Sequence, residues 1–265
     1  MYAFDYKRPS SLDEAAEMLR NSDDGHVLAG GHTLLPTLKQ RLASASELID
    51  LAGIDELKGI SSADGVVTIG AMTTHSEVAA SSEVQNAIPA LADLAEGIGD
   101  PQVRNKGTIG GSISNNDPAA DYPAALVGLN ATVNTTSRSI SADNFFTGMF
   151  ETALGNDEIV TSVSFPVPRS AAYCKFPNPA SRYAIVGVFV ARGSDGVRVA
   201  VTGAGGSVFR AREIEVALNQ VFSASSLADI QVSDEGLNED IHASAEYRAH
   251  LITVMTKRAV DKANG

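Results

Sequence analysis

Thiols are nearly absent from this 265-residue chain, in which Cys174 is the single cysteine. One cysteine excludes an intrachain disulfide and any iron–sulfur cluster built on four thiolates of this chain. If the protein handles electrons through iron and sulfur, the cluster sits on another chain. Basic charge is also short, with 20 Lys and Arg against 32 Asp and Glu and a formal net charge of −12. A surface of that sign repels nucleic acid and anionic membranes, which disfavours both as main partners. Long apolar runs are lacking, since no segment approaches the roughly 18 consecutive apolar residues that a membrane span needs. The N-terminal "MYAFDYKRPSSLDEAAEML" has no basic stretch followed by an apolar run. The expectation is a soluble, cytoplasmic protein. The five histidines, His26, His32, His75, His242 and His250, never pair at an i, i+4 spacing, so a dedicated zinc site is unsupported.

What is present suffices for one large domain or two ordinary ones with a core that needs no disulfide or metal. The first fifty residues read as a βαβ-like unit: an extended "YAFDYKRP", a helix from Ser11 to Arg20, a strand "HVLAGG", a helix "TLLPTLKQRL" and a strand "ELIDL". Ser11 with Glu14 predicts a capping box. From Gly59, "GISSADGVVTIGAMTTH" alternates around Asp64 and Gly65, a pair suited to a tight hairpin turn. Helical segments follow, then a second hairpin in "ATVNTT" and "SRSISA", a short helix near "ADNFFTGMF" and a strand "EIVTSVSFPVP". The cluster Pro166, Pro168, Arg169 and Ser170 marks a domain boundary, because two prolines in three residues stop ladder pairing. Beyond it, "YAIVGVFVA" and "GVRVAVTGAGG" are strands around a "GSDG" turn, with helices near "AREIEVALNQ" and "AEYRAHLITVMTKRAVDKA".

Two segments share one design of strand, Gly-Gly turn, hydroxyl residue and helix: "VLAGGHTLLP" and "GTIGGSISNNDPAADYP". A glycine lets a ligand approach peptide N–H groups, and a helix start adds about half a positive charge, so such turns favour phosphate oxygens. Two of them suit one pyrophosphate. The plainer reading stays open on the residues alone: Gly30 and Gly31 turn the chain, and Gly110 and Gly111 let two backbones pack. Neither loop matches GxGxxG or a P-loop, and "AVTGAGGSVFRA" reads as a strand-end turn. Asn115, Asn116 and Asp117 lack the ligand spacing of a calcium loop. Asp121, before Tyr122 and Pro123, suits an N-cap, and the same carboxylate suits a sugar or ribityl hydroxyl.

Taken together, "AGGHTLLPTLKQRLASASELIDL", "GAMTTHSEVAAS" and "GTIGGSISNNDPAADYPAAL" resemble the FAD-binding medium subunit of molybdenum hydroxylases, the family of carbon monoxide dehydrogenase and xanthine dehydrogenase. The resemblance runs from Tyr2 to the C-terminal helix. It implies an α+β fold: a two-subdomain, PCMH-type, vanillyl-alcohol-oxidase-like FAD-binding domain over residues 1–168 (subdomains 1–55 and 56–168). A small α+β domain with an antiparallel three-stranded sheet would follow over 169–265. It also implies cofactor contacts from Ala29, Gly30, Gly31, His32, Thr33 and Leu34, and from Thr108, Ile109, Gly110, Gly111 and Ser112. Asp121 falls where the family places an acidic contact, Lys175 where a basic residue stands near the flavin, and Tyr183 where an aromatic lies beside the isoalloxazine. Many relatives carry a basic run between that lysine and that aromatic, and this chain departs from it with "KFPNPASRY".

The lone cysteine lies away from the glycine loops, so the FAD is expected to be non-covalent, and by the resemblance no side chain acts as an essential general base. The partners are a small subunit with two two-iron two-sulfur clusters and a large molybdenum-pterin subunit, in a dimer of heterotrimers. Two other readings stay in play: a free-standing flavin oxidase of this fold, and a nucleotide-binding scaffold without turnover. For His75 the preferred reading is a neutral histidine that caps the following helix. Tyr183 is equally readable as a core aromatic.

Overall fold

A computed structural model describes residues 1–265. Strand β1 (Asp5–Lys7), helix α1 (Leu12–Asn21), β2 (Gly25–Leu28), α2 (Leu34–Lys39) and β3 (Glu47–Asp50) form a parallel sheet of order β1-β3-β2. Parallel strands require crossovers: α2 joins the neighbours β2 and β3, and α1, which buries Ala15, Ala16 and Leu19, carries the chain from β1 to β2. Ser11 accepts from the Glu14 amide at 3.2 Å, but the Glu14 carboxylate reaches the Ser10 amide instead of Ser11, so the expected capping box is only half made.

A second, antiparallel sheet is discontinuous in sequence. It begins with β4 (Ile60–Ala63) and β5 (Val66–Gly70), joined at Asp64 (φ 52°) and Gly65 (φ 74°), the left-handed pair that a type I′ turn needs. Helices α3 (His75–Ala80), α4 (Ser82–Ala87), α5 (Pro89–Glu96), α6 (Pro101–Arg104), α7 (Ile109–Asn115) and α8 (Tyr122–Gly128) then intervene. The sheet resumes with β6 (Thr132–Thr135) and β7 (Ser139–Ser141); α9 (Ala142–Phe145) and the small pair β8 (Phe146–Gly148) and β9 (Glu151–Thr152) precede β10 (Val160–Pro166). β10 inserts centrally, giving the order β4-β5-β10-β6-β7.

The third sheet comprises β11 (Ser170–Pro177), β12 (Ala184–Gly193), β13 (Gly196–Thr202) and a two-residue β14 (Phe209–Arg210), all antiparallel. The expected three strands thus gain a short fourth at the edge. Helices α10 (Arg212–Gln220) and α11 (Ala245–Ala263) cover one face. β12 is buried on both faces, so it reads as a continuous apolar run. Val186, Val188 and Val190 join the α10–α11 core, whereas Phe189 and Ala191 pack into the core of the helices around the second sheet. The third sheet is therefore cemented to α8 rather than suspended from a linker.

Candidate functional site

Where the three sheets meet, a cleft of about 560 Å³ opens, within the size range of ligand pockets. Its walls are the end of β2 with the turn to Leu34, the stretch Gly107–Asp121, the segment Leu154–Val160 before β10, and Ser181–Tyr183 between β11 and β12. The first and second glycine segments thus lie on one cavity.

They are built differently. In the first, β2 ends and the chain turns at Gly31 (φ 73°) before α2 starts. No hydrogen bond within the chain is donated by the amides of Gly30, Gly31, His32 or Thr33. Backbone donors need partners when water is excluded, so these four successive N–H groups on a cleft wall are left to water or to a ligand. Gly30 is glycine for a second reason: a Cβ there would lie 2.3 Å from the Lys106 carbonyl oxygen and 2.8 Å from the Gly107 Cα. The two glycine segments touch at that point.

In the second, no strand precedes the glycines, and Gly110 and Gly111 occupy the first turn of α7 itself, which corrects the expected shared design. Thr108 is the N-cap, accepting from Gly111 through its hydroxyl at 3.1 Å. Ile109 donates to Thr73, Gly110 to Ala71 and Ser112 to Thr108, at 2.9 to 3.1 Å. Its amides are engaged internally. Gly110 packs backbone on backbone, since a Cβ would stand 2.7 Å from the Ala71 carbonyl oxygen. Ile109 has its side chain in the core and does not line the cleft, whereas Thr108, Gly111 and Ser112 do. A Cβ on Gly111 would meet the Ala29 Cβ at 3.5 Å, so it faces the first segment.

Asp121 lines the cleft but caps nothing: its side chain makes no bond to the start of α8, which instead begins with Pro123 in its first turn. The carboxylate turns to β11, where Tyr173 donates its hydroxyl and Lys175 approaches at 3.0 Å. Burial pushes the Asp121 carboxyl above its ordinary range, with the Lys175 ammonium and the Tyr173 hydroxyl pulling it back. Lys175 also donates to the Gly97 carbonyl at 2.9 Å and does not line the cleft. Tyr183, at 47% exposure, is a rim residue and not a core aromatic. Burial raises its phenol pKa, and the charges of Asp117 and Asp121 add to the effect. Beside it, Arg182 adopts φ 64° and donates to the Gly99 carbonyl at 3.1 Å, which pins the Ser181–Tyr183 wall across the cleft from α6.

His75 is not the cap of α3: Thr74 is, in a full capping box with Glu77. The imidazole is buried in the cleft floor, and burial, with His32 and Arg104 adding to it, lowers its pKa to about 4. That direction agrees with a neutral imidazole. Sequence reading missed the wall Leu154–Val160, including buried Glu158, whose pKa is held at about 2 first by the Arg138 guanidinium. No local signal marks that wall, because it reaches the cleft only through the insertion of β10 between β5 and β6.

The family model described as the FAD binding domain in molybdopterin dehydrogenase matches residues 2–168. The nicotine 6-hydroxylase medium subunit of Paenarthrobacter nicotinovorans is 35% identical, over 98% of this chain and 97% of its own. The carbon monoxide dehydrogenase medium chain of Hydrogenophaga pseudoflava is 34% identical, over 98% of this chain and 96% of its own. Among solved structures, quinoline 2-oxidoreductase from Pseudomonas putida 86 superposes with a TM-score of 0.90 at 31% identity, covering 99% of this chain and 97% of that one.

Proposed function

This chain belongs to the family of FAD-binding domains of molybdopterin dehydrogenases, and from that premise we propose that it is the electron-transferring flavin subunit of a heterotrimeric molybdenum hydroxylase. The relatives named medium subunits or medium chains match it from end to end, which supports the same place in a multi-subunit assembly. Its partners are then a small subunit with two two-iron two-sulfur clusters and a large molybdenum-pterin subunit, assembled as a dimer of heterotrimers in the cytoplasm. No helix is long and apolar enough to cross a membrane.

In this reading residues 1–168 are the FAD-binding domain, with subdomains 1–55 and 56–168, and residues 169–265 are the C-terminal domain. The residues present fit the cofactor. The single observation that carries the assignment is the row of unpartnered amides from Gly30 to Thr33 on the cleft wall, where Gly30 packs on Lys106 and Gly107 at a separation only glycine permits. Those amides, Ala29 and Leu34 beside them, and the hydroxyls of Thr108 and Ser112 hold the diphosphate. Gly110 lines the cleft beside them, and Ile109 sets the backbone behind. Tyr183 at the rim would meet the isoalloxazine, Asp121 would meet a sugar or ribityl hydroxyl, and Lys175 would act near the flavin through its ion pair with Asp121. FAD, when bound, supplies the redox chemistry, while the chain binds it, orients it and excludes water. Cys174, the lone thiol, sits on β11 outside the cleft with its pKa raised by burial, which supports non-covalent attachment.

The test is purification from the native host. Yellow protein that releases free FAD on denaturation and travels with an iron–sulfur chain and a molybdenum chain is the expected result. A fully active solitary flavoprotein would replace it with a free-standing oxidase, and a colourless protein that cannot be reconstituted with FAD would leave a scaffold.

A further inference from the structure

His75 is a buried titratable side chain to which the reading above gives no task. It opens α3, is 4% exposed, and its amide donates to the Gly107 carbonyl at 3.0 Å. Its ring lies against Tyr122, with centroids 5.3 Å apart. Nδ1 is sealed from solvent without a hydrogen-bond partner; Nε2, also unpartnered, is not sealed. Gly107 is what keeps Nε2 uncovered, because a Cβ there would stand 2.6 Å from it. Gly107 is also the residue on which Gly30 rests, so His75 and the first turn both pack on Gly107 and line the same cleft.

A neutral imidazole carries one N–H and one lone pair. A proton on the sealed Nδ1 would leave a buried donor unmade, and orphaned buried N–H groups are rarer than under-satisfied acceptors. The proton therefore belongs on Nε2, where it points at an acceptor from outside the chain. Resting on the flavin-subunit reading, we propose that His75 is a cofactor-binding residue whose Nε2–H donates a hydrogen bond to a diphosphate oxygen of the dinucleotide held between Gly30–Thr33 and Gly107. Before the cofactor binds, the imidazole is uncharged. The charged or titratable groups that face it are His32 from the first turn, Arg104 from α6 and Tyr122 from α8, and none of them is an anion that would stabilise an imidazolium.

The test is equilibrium binding of FAD, and of ADP in competition with it, to the full chain. His75→Leu is expected to weaken both by the same factor, about 10- to 100-fold, the value of a hydrogen bond to a charged group. His75→Gln, which keeps a donor, restores most of the loss, and Gly107→Ala, which covers Nε2, reproduces it. Wild-type protein without affinity for FAD would sink the flavin reading itself. Wild-type protein that binds FAD, with His75→Leu binding equally well, losing FAD but not ADP, or showing no rescue by Gln, would sink only the role of His75. Nitrogen NMR of the wild-type imidazole needs no variant: the Nε2–H tautomer supports the proposal and the Nδ1–H tautomer overturns it.

Discussion

Lys175 on β11 and Asp121 before α8 form an ion pair at 3.0 Å across 54 residues of sequence, with side-chain exposures of 11% and 5%. The pair joins the third sheet to the cleft wall, and Thr202 at the end of β13 and Gly203 just after it add hydrogen bonds to the Pro118 carbonyl on the same loop. The shape of the cleft therefore depends on residues that do not line it.

Breaking that pair leaves a buried charge uncompensated. Lys175→Met is expected to destabilise the protein by about 3 kcal/mol in denaturant unfolding, because the Asp121 carboxylate stays buried without its cation. Asp121→Asn retains an acceptor for Tyr173 and loses less. Equal losses in the two variants would show that the ion pair contributes little.

Glu158 gives acid sensitivity a residue. Its folded pKa of about 2 lies below the ordinary 4.5, so its contribution is complete above pH 4.5 and disappears as pH falls toward 2. Arg138 is 54% exposed, and after screening the contribution is about 2 kcal/mol. Wild type and Glu158→Gln should differ by that amount at neutral pH and converge in acid. A gap that persists at the acid end would remove Glu158 from the account.

Two glycines separate binding from packing. Gly30→Ala forces a Cβ to within 2.3 Å of the Lys106 carbonyl, parts the two segments, and should abolish FAD retention in soluble protein. Gly110→Ala pushes on Ala71 at 2.7 Å and should lower stability by about 1–3 kcal/mol, with flavin lost only in proportion to unfolding. Flavin content of folded protein, measured beside thermal unfolding, distinguishes them.

Tyr183→Ala removes an aromatic that the fold does not need. Stability should stay within about 0.5 kcal/mol, while the visible spectrum and reduction potential of bound flavin shift. An unchanged spectrum and potential would place the flavin elsewhere in the cleft.

Much of this was legible locally. Asp64–Gly65 announces its hairpin because only left-handed backbone closes that turn. β12 and β13 announce themselves through apolar runs bounded by a glycine turn. The first glycine segment reads correctly, since its free amides follow from a turn between a strand and a helix. The second misleads: "TIGGS" has the same composition, but pairing with Ala71 and Thr73 closes its amides, and those partners lie more than thirty residues upstream. Asp121 misleads for a similar reason. An N-cap is a local preference of about 1 kcal/mol, and the lysine and tyrosine of β11 outcompete it.

What the chain determined alone is most of the longer elements, the excess of negative charge and the lack of thiols for a cluster of its own. Those follow from composition and from periods of two or four residues. Only the assembled sheets decided which amides stay free, that His75 is buried neutral beside Gly107, and that Asp121 answers to Lys175. Such outcomes depend on distances between segments remote in sequence, and a preference within one turn is too weak to override a partner the tertiary fold brings to 3 Å.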